Sequence, residues 1–256
     1  MTWNKYYIFL NVLALVILGG SIALNLLLYD RVKRSYLEFN QMRLDPIGLS
    51  RYPVNLKQFA TPGQTRVVFL GDSRAAAWTS PDLGGYEFVN RGINGQTSAQ
   101  TLLRFTDHVR SLQPDVVVIQ IGVNDLKTIA LFPERRESII ANCQANIRQI
   151  VEDAKNLGAV VIVTTIFPVG EVPLARRLFW SDQISQAVEA VNAYIDTLAG
   201  RQVIVFNTAA VLGDRQGRVL QQYQADELHL NNQGYAALNQ ELEQLLKPVK
   251  GKKVEN

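Results

Sequence analysis

Four short blocks hold residues able to do chemistry: Gly71-Asp72-Ser73, "RGINGQTS" with Gly95, "IGVNDL" with Asn124, and "DELHL" with Asp226 and His229. A serine hydroxyl is a poor nucleophile until a base takes its proton and donors stabilise the oxyanion that its attack creates. Taken alone, Gly-Asp-Ser after an apolar run reads as a turn and helix cap. Its company changes that reading. His229 is one of only two histidines in the chain, and Asp226 precedes it by three residues. That spacing lets the carboxylate fold back on Nδ1 and leave Nε2 as a base. The Asn124 amide can donate to developing negative charge, and Gly95 lets a backbone N–H approach a substrate that a Cβ would push away. The other histidine, His108, lies in the helical pattern "LLRFTDHVRSL" without a partner and reads as structural.

These residues need a frame. Short runs rich in Val and Ile, apolar on both faces, read as strands at 66–70, 86–90, 115–121, 159–165 and 202–207. Such strands belong to a sheet covered on both sides. Helical patterns at 98–112, 134–157, 179–198 and 231–246 fall between and after them. In "SIIANCQANIRQIVEDAKNLG" apolar residues recur at three and four, and Gly158 stands where a C-cap belongs. Strand and helix in alternation imply right-handed crossovers and a three-layer α/β domain around a five-stranded parallel sheet. Ligands gather at the carboxyl ends of such strands, where the four blocks lie.

The 256 residues are 47% hydrophobic and 19% charged, which argues for a folded chain. A net charge of +3, gathered near Arg31, Lys33 and Arg34 and at the C-terminal lysines, comes with no nucleic-acid motif, so no nucleic-acid partner is expected. A lone cysteine, Cys143, excludes an internal disulfide and a multi-cysteine metal site, and neither histidine stands in an HExxH pattern. No cofactor or metal is implied. Residues 6–29, "YYIFLNVLALVILGGSIALNLLLY", carry no charge. A run of about 20 apolar residues matches the bilayer interior and exceeds a secretory h-region, so it reads as an uncleaved anchor. The expected layout is an anchor at 1–30, a tether at 31–65 with Pro46, Pro53 and Pro62 and a short helix at 36–44, a catalytic domain at 66–247 and a basic tail at 248–256.

In this order the blocks Gly71-Asp72-Ser73, Gly95, Gly122-Val123-Asn124-Asp125 and Asp226-Glu227-Leu228-His229 resemble those of the SGNH hydrolases, the GDSL esterase and lipase family. The resemblance covers residues 66–247 and implies a flavodoxin-like sheet in the order 2-1-3-4-5, with Ser73 and Asn124 flanking the switch point. It implies Ser73 as nucleophile, His229 as base and then acid, and Asp226 as its orienter. The implied oxyanion donors are the Ser73 and Gly95 N–H groups and the Asn124 side chain. Asp72 and Asp125 resemble residues that shape the site. Arg74 departs from the leucine of the family's name and reads as a solvated helix-start residue, with an anionic substrate group as its other possible contact. "GDSRA" also nearly fits the G-x-S-x-G elbow of α/β-hydrolases, but Ala75 replaces the last glycine and Ser73 follows the first strand of its sheet.

The expected function is a membrane-anchored serine ester hydrolase working through an acyl-enzyme on Ser73. Its leading substrates are lipid or lysophospholipid esters and O-acetyl glycans. An acyltransferase using the same site and an inactive anchored binding module are the alternatives. The apolar stretch 167–180, with Arg176 and Arg177, reads as loop packing ahead of an acyl-pocket wall or a lipid contact. Arg31, Lys33 and Arg34 after the span, against Lys5 before it, lean toward a cytoplasmic domain by about one charge. The resemblance implies an extracytoplasmic hydrolase, and a single-pass protein with its domain outside is the orientation expected here.

Overall fold

The computed structural model of the chain describes residues 2–52, 61, 63–174, 176 and 180–249. The readings for Pro53, Pro62, Arg177, Phe179 and the tail from residue 250 lie outside the described residues. Two compact units are present, Met1–Pro46 and Ile47–Asn256.

The first unit is helix α1, Thr2–Leu44, 43 residues long. It contains the one segment among the described residues that is long and apolar enough to cross a membrane. The helix does not stop where the apolar run stops. The reading of residues 31–65 as a tether with a short helix at 36–44 is corrected here, because Asp30–Leu44 contains no glycine or proline and the first breaker is Pro46.

In the second unit, β1 (Thr65–Gly71) leads to α2 (Ser73–Ala76), β2 (Tyr86–Gly92), α3 (Ser98–Leu103) and α4 (Phe105–His108). Then come β3 (Val116–Gln120), α5 (Val123–Leu126), α6 (Arg136–Lys155), β4 (Val160–Thr164), α7 (Asp182–Asp196), β5 (Val203–Phe206), α8 (Thr208–Leu212) and α9 (Asn232–Leu246). The five strands are parallel in the order β2-β1-β3-β4-β5. Successive side chains feed opposite faces. Val68, Leu70, Val117 and Ile119 pack with Ile147, Ile150 and Val191 from α6 and α7. Val67, Phe69, Val116 and Val118 pack with Trp78 and with Leu238 and Leu242 from α9. The three-layer α/β architecture is thus as the sequence implied.

The pattern at 98–112 is not one helix. It breaks at Arg104 into α3, α4 and a 3-10 turn at Arg110–Leu112. The Arg104 guanidinium is drawn inward to the carbonyls of Gly71 and Arg91, at 2.9 and 2.8 Å, and to the Gln96 side chain. His108 is buried beside it, 3.3 Å from the Leu49 carbonyl and edge-on to Tyr52, as befits a structural residue. Ile47 and Tyr52 of the lead-in are therefore tied to the domain: Tyr52 donates to the Gly92 carbonyl at 2.7 Å and Gln96 to the Ile47 carbonyl at 2.7 Å.

The carboxyl ends of β1 and β2 meet the start of α2 with no space to spare. A Cβ on Gly92 would lie 2.1 Å from the Ala76 amide nitrogen. Since that obstacle is backbone, Gly92→Ala is expected to destabilise the fold by about 3 kcal/mol, the upper end for overpacking. The urea midpoint of the detergent-solubilised chain measures it, and an unchanged midpoint contradicts the close packing.

Candidate active site

The first three blocks follow β1, β2 and β3 directly, the fourth comes well after β5 and beyond α8, and each is held differently. Ser73 opens α2, with Asp72 as the N-cap accepting the Arg74 N–H at 2.9 Å. As the first residue of the helix, Ser73 has an N–H with no intrahelical acceptor. Its Oγ lies 2.9 Å from His229 Nε2. On the other side of the ring, Nδ1 is 2.9 and 3.0 Å from the two oxygens of Asp226. Asp226 Oδ1 also accepts the Leu228 and His229 N–H groups, both at 2.8 Å. Burial works to raise the Asp226 pKa, but the His229 side chain and these two N–H donors outweigh it and leave the carboxyl below its ordinary value. With Nδ1–H directed at Asp226, Nε2 is free to accept the serine proton.

The second and third blocks are tied to each other. Asn124 is buried, and its Nδ2 donates one N–H to the Gln96 carbonyl at 3.0 Å, leaving its second N–H available. Gly95 has φ +77, and a Cβ there would meet nothing within 4 Å. The glycine is required by this left-handed backbone, while the space around it stays open. Asp125 accepts the Ser98 N–H at 2.8 Å and its hydroxyl at 2.6 Å, which fixes the start of α3 directly after the Gly95 loop. Burial raises the Asp125 pKa, and the Ser98 hydrogen bonds work against that rise.

Arg74 corrects both readings of it. It is neither solvated nor turned toward a substrate: it is fully buried, and its Nε and Nη1 donate to the carbonyls of Leu228 at 2.8 Å and Phe167 at 3.0 Å. The Leu228 carbonyl and the His229 N–H belong to one peptide unit. Arg74, the residue after the serine, holds one end of that plane, and Asp226 holds the other. The phenol of Tyr235 donates to the Arg74 carbonyl at 2.9 Å, tying α2 to α9 as well. Arg176 of the 167–180 stretch pairs with buried Glu227, and the Gly170 N–H donates to the Glu227 carbonyl at 2.9 Å. That stretch packs on the histidine loop. The family resemblance marks Arg74 only as a departure from leucine, and nothing near it in sequence announces carbonyls at Leu228 and Phe167.

Among the described residues, no group of three or more His, Cys, Asp or Glu could hold a metal ion. Cys143 is buried, which pushes its thiol pKa well up and leaves it a packing residue.

A three-layer α/β domain with its parallel sheet in this order, and a serine, an imidazole and a carboxylate in line, holds the groups that ester hydrolysis needs. The sequence profile of the GDSL-like lipase/acylhydrolase family matches residues 61–237, and the chain belongs to that family. It is 29% identical over 126 residues to an acetylxylan esterase of Geobacillus stearothermophilus, covering 46% of this chain and 57% of that one. The match therefore spans little more than half of that relative's length. A GDSL-like lipase of Bacteroides thetaiotaomicron superposes with TM-score 0.62 at 27% identity, covering 79% of this chain and 98% of that one. The fold is also shared with a lipase/acylhydrolase of Enterococcus faecalis, with TM-score 0.51, 21% identity and coverage of 74% and 96%.

Two outcomes follow from the geometry. Arg74→Met releases the Leu228 carbonyl and is expected to lower kcat for an aryl ester about a hundredfold with KM little changed, as a small displacement of a catalytic group does; an unchanged kcat removes Arg74 from that role. Burial raises the Asp72 pKa from 3.8 to about 6, against the pull of Arg74. Between those values the folded chain keeps a proton that the unfolded chain releases, so this group's contribution is full below pH 3.8 and declines as pH rises through about 6. Relative to wild type, Asp72→Asn should therefore gain stability from pH 4 to pH 7. Parallel urea midpoints across that range contradict it.

Proposed function

We propose that the chain is a membrane-anchored serine esterase that cleaves carboxylic esters through an acyl-enzyme on Ser73. The observation that carries this reading is the contact of Ser73 Oγ with His229 Nε2 at 2.9 Å, continued from Nδ1 to Asp226. Oγ attacks the ester carbonyl carbon as Nε2 takes its proton. The oxyanion is received by the Ser73 and Gly95 N–H groups and the free amide hydrogen of Asn124. The C–O bond to the leaving alcohol breaks as His229 returns the proton to that oxygen. Water, deprotonated by His229, then attacks the acyl carbon, and as the bond from that carbon to Oγ breaks His229 returns the proton to Ser73.

O-acetyl groups on envelope glycans are the proposed substrate class, ahead of lipid or lysophospholipid esters. The likeness to an acetylxylan esterase supports that order. Residues 6–29 within α1 supply the anchor, and the domain is assigned to the extracytoplasmic side in keeping with hydrolysis of envelope esters. In this reading residues 66–247 form the catalytic domain.

Hydrolysis of p-nitrophenyl esters of graded acyl length tests the proposal. Acetate is expected to be cleaved fastest, and Ser73→Ala to be inactive and unlabelled by a fluorophosphonate. Equal rates for wild type and Ser73→Ala would sink the serine mechanism, and a preference for long chains would move the substrate to lipids. Asn124→Ala is expected to lower turnover by on the order of a hundredfold, as loss of one oxyanion donor does; an unchanged rate removes Asn124 from the hole.

A further inference from the structure

Helix α1 carries two carboxamides inside its apolar run that the esterase chemistry leaves unused. Asn11 and Asn25 stand two heptads apart. With 1.5 Å of rise per residue they lie about 10 Å to either side of mid-span, within the hydrocarbon of a bilayer. Asn25 donates to the Ser21 carbonyl at 2.8 Å, which leaves its own carbonyl oxygen open, and the Asn11 carboxamide has no partner in its own helix. A carboxamide in lipid seeks a partner on another helix.

The register set by the two asparagines continues past the span. Stepping alternately by three and four, it passes through Ile8, Asn11, Leu15, Leu18, Ile22, Asn25, Tyr29, Val32, Tyr36 and Phe39. Within the span nearly every residue is apolar, so only the asparagines define the frame. Beyond it, in "DRVKRSYLEFNQ", the same frame selects Val32, Tyr36 and Phe39, while Leu37 is the only large apolar residue off it. Those three side chains are 67, 67 and 51% exposed. From Asn11 to Phe39 the marked positions keep one 3.5-residue frame, the repeat of a left-handed supercoil, from which a straight helix drifts about 20° per heptad. Ala14, Ser21 and Gly19 flank the seam with small side chains, which lets a second backbone come close.

We infer that α1 pairs with α1 of a second copy of this chain as a parallel, in-register coiled coil running from the membrane span to Phe39. A bilayer inserts every copy in the same direction, so identical helices meet parallel. In register, Asn11 faces Asn11 and Asn25 faces Asn25, and a carboxamide, being both donor and acceptor, is its own complement. The inference rests on the anchor reading but not on the esterase chemistry.

Oxidative cross-linking of full-length single-cysteine variants in native membranes tests it. Val32→Cys, Tyr36→Cys and Phe39→Cys are expected to yield a product of twice the chain mass, and Arg34→Cys, Leu37→Cys and Gln41→Cys to yield none. Adding Asn11→Leu and Asn25→Leu together should lower the Val32→Cys product about tenfold. Equal cross-linking at all six positions, or none while the chain resists carbonate extraction, overturns the pairing alone. A product of another mass identifies a different partner and overturns the second copy. Release of the wild-type chain by carbonate overturns the anchor reading and the pairing with it.

Discussion

One hydrogen bond spans 156 residues of sequence: Ser73 Oγ to His229 Nε2. Everything that makes it short acts on the single peptide unit between Leu228 and His229. The Asp226 carboxylate takes the N–H of that unit and also faces the imidazole Nδ1, so ring and backbone are set by the same group. Arg74 takes the carbonyl. Because Arg74 follows Ser73 directly, nucleophile and base are joined by two peptide links and the one hydrogen bond between them, without passing through the sheet. A carboxylate held by backbone donors keeps its charge, and that charge favours the imidazolium that forms when serine loses its proton.

The second and third blocks use the same device. Arg104 joins the Gly71 carbonyl, at the end of the strand that delivers Ser73, to the Gln96 side chain, and the Gln96 carbonyl is in turn held by Asn124. The Gly95 loop is thereby tied to both β1 and the start of α5. Preorganised donors need this kind of restraint, since a dipole that can turn away contributes little to a transition state. The break between α3 and α4 at Arg104 is the local cost of bringing that guanidinium inward.

Much of this was legible in the chain, and for specific reasons. Strands with Val and Ile on both faces predict a doubly covered parallel sheet, and such a sheet brings residues just past its strands to one edge. That places Ser73 and Asn124 together, while Asp226 and His229, which lie beyond α8, are legible from their own spacing of three and from the scarcity of histidine. Gly95 was picked out for its lack of a Cβ, whereas its requirement is a positive φ, a property of the loop path. The reach of α1 was understated because the prolines at 46, 53 and 62 coloured the reading of a stretch that itself contains no breaker. Arg74 was illegible: its acceptors lie 154 and 93 residues away, and only the finished fold brings carbonyls from both to its guanidinium.

Arg74 and Arg104 are both fully buried, and among the described residues neither forms a salt bridge. Burying an arginine costs several kcal/mol unless hydrogen bonds and nearby charge offset it. Burial lowers the pKa of each, that of Arg104 to about 10. Asp72 lies near Arg74, but its own pKa is raised by the same burial, so it offsets only part of the cost. A leucine at either position would fill the space and avoid the penalty, yet it could not take a carbonyl from each of two loops at once. The planar fork of arginine can, with donors set at fixed angles to one another. Two such residues, placed where strand-end loops converge on the serine, exchange stability for a site whose donors and base are held in place before a substrate arrives.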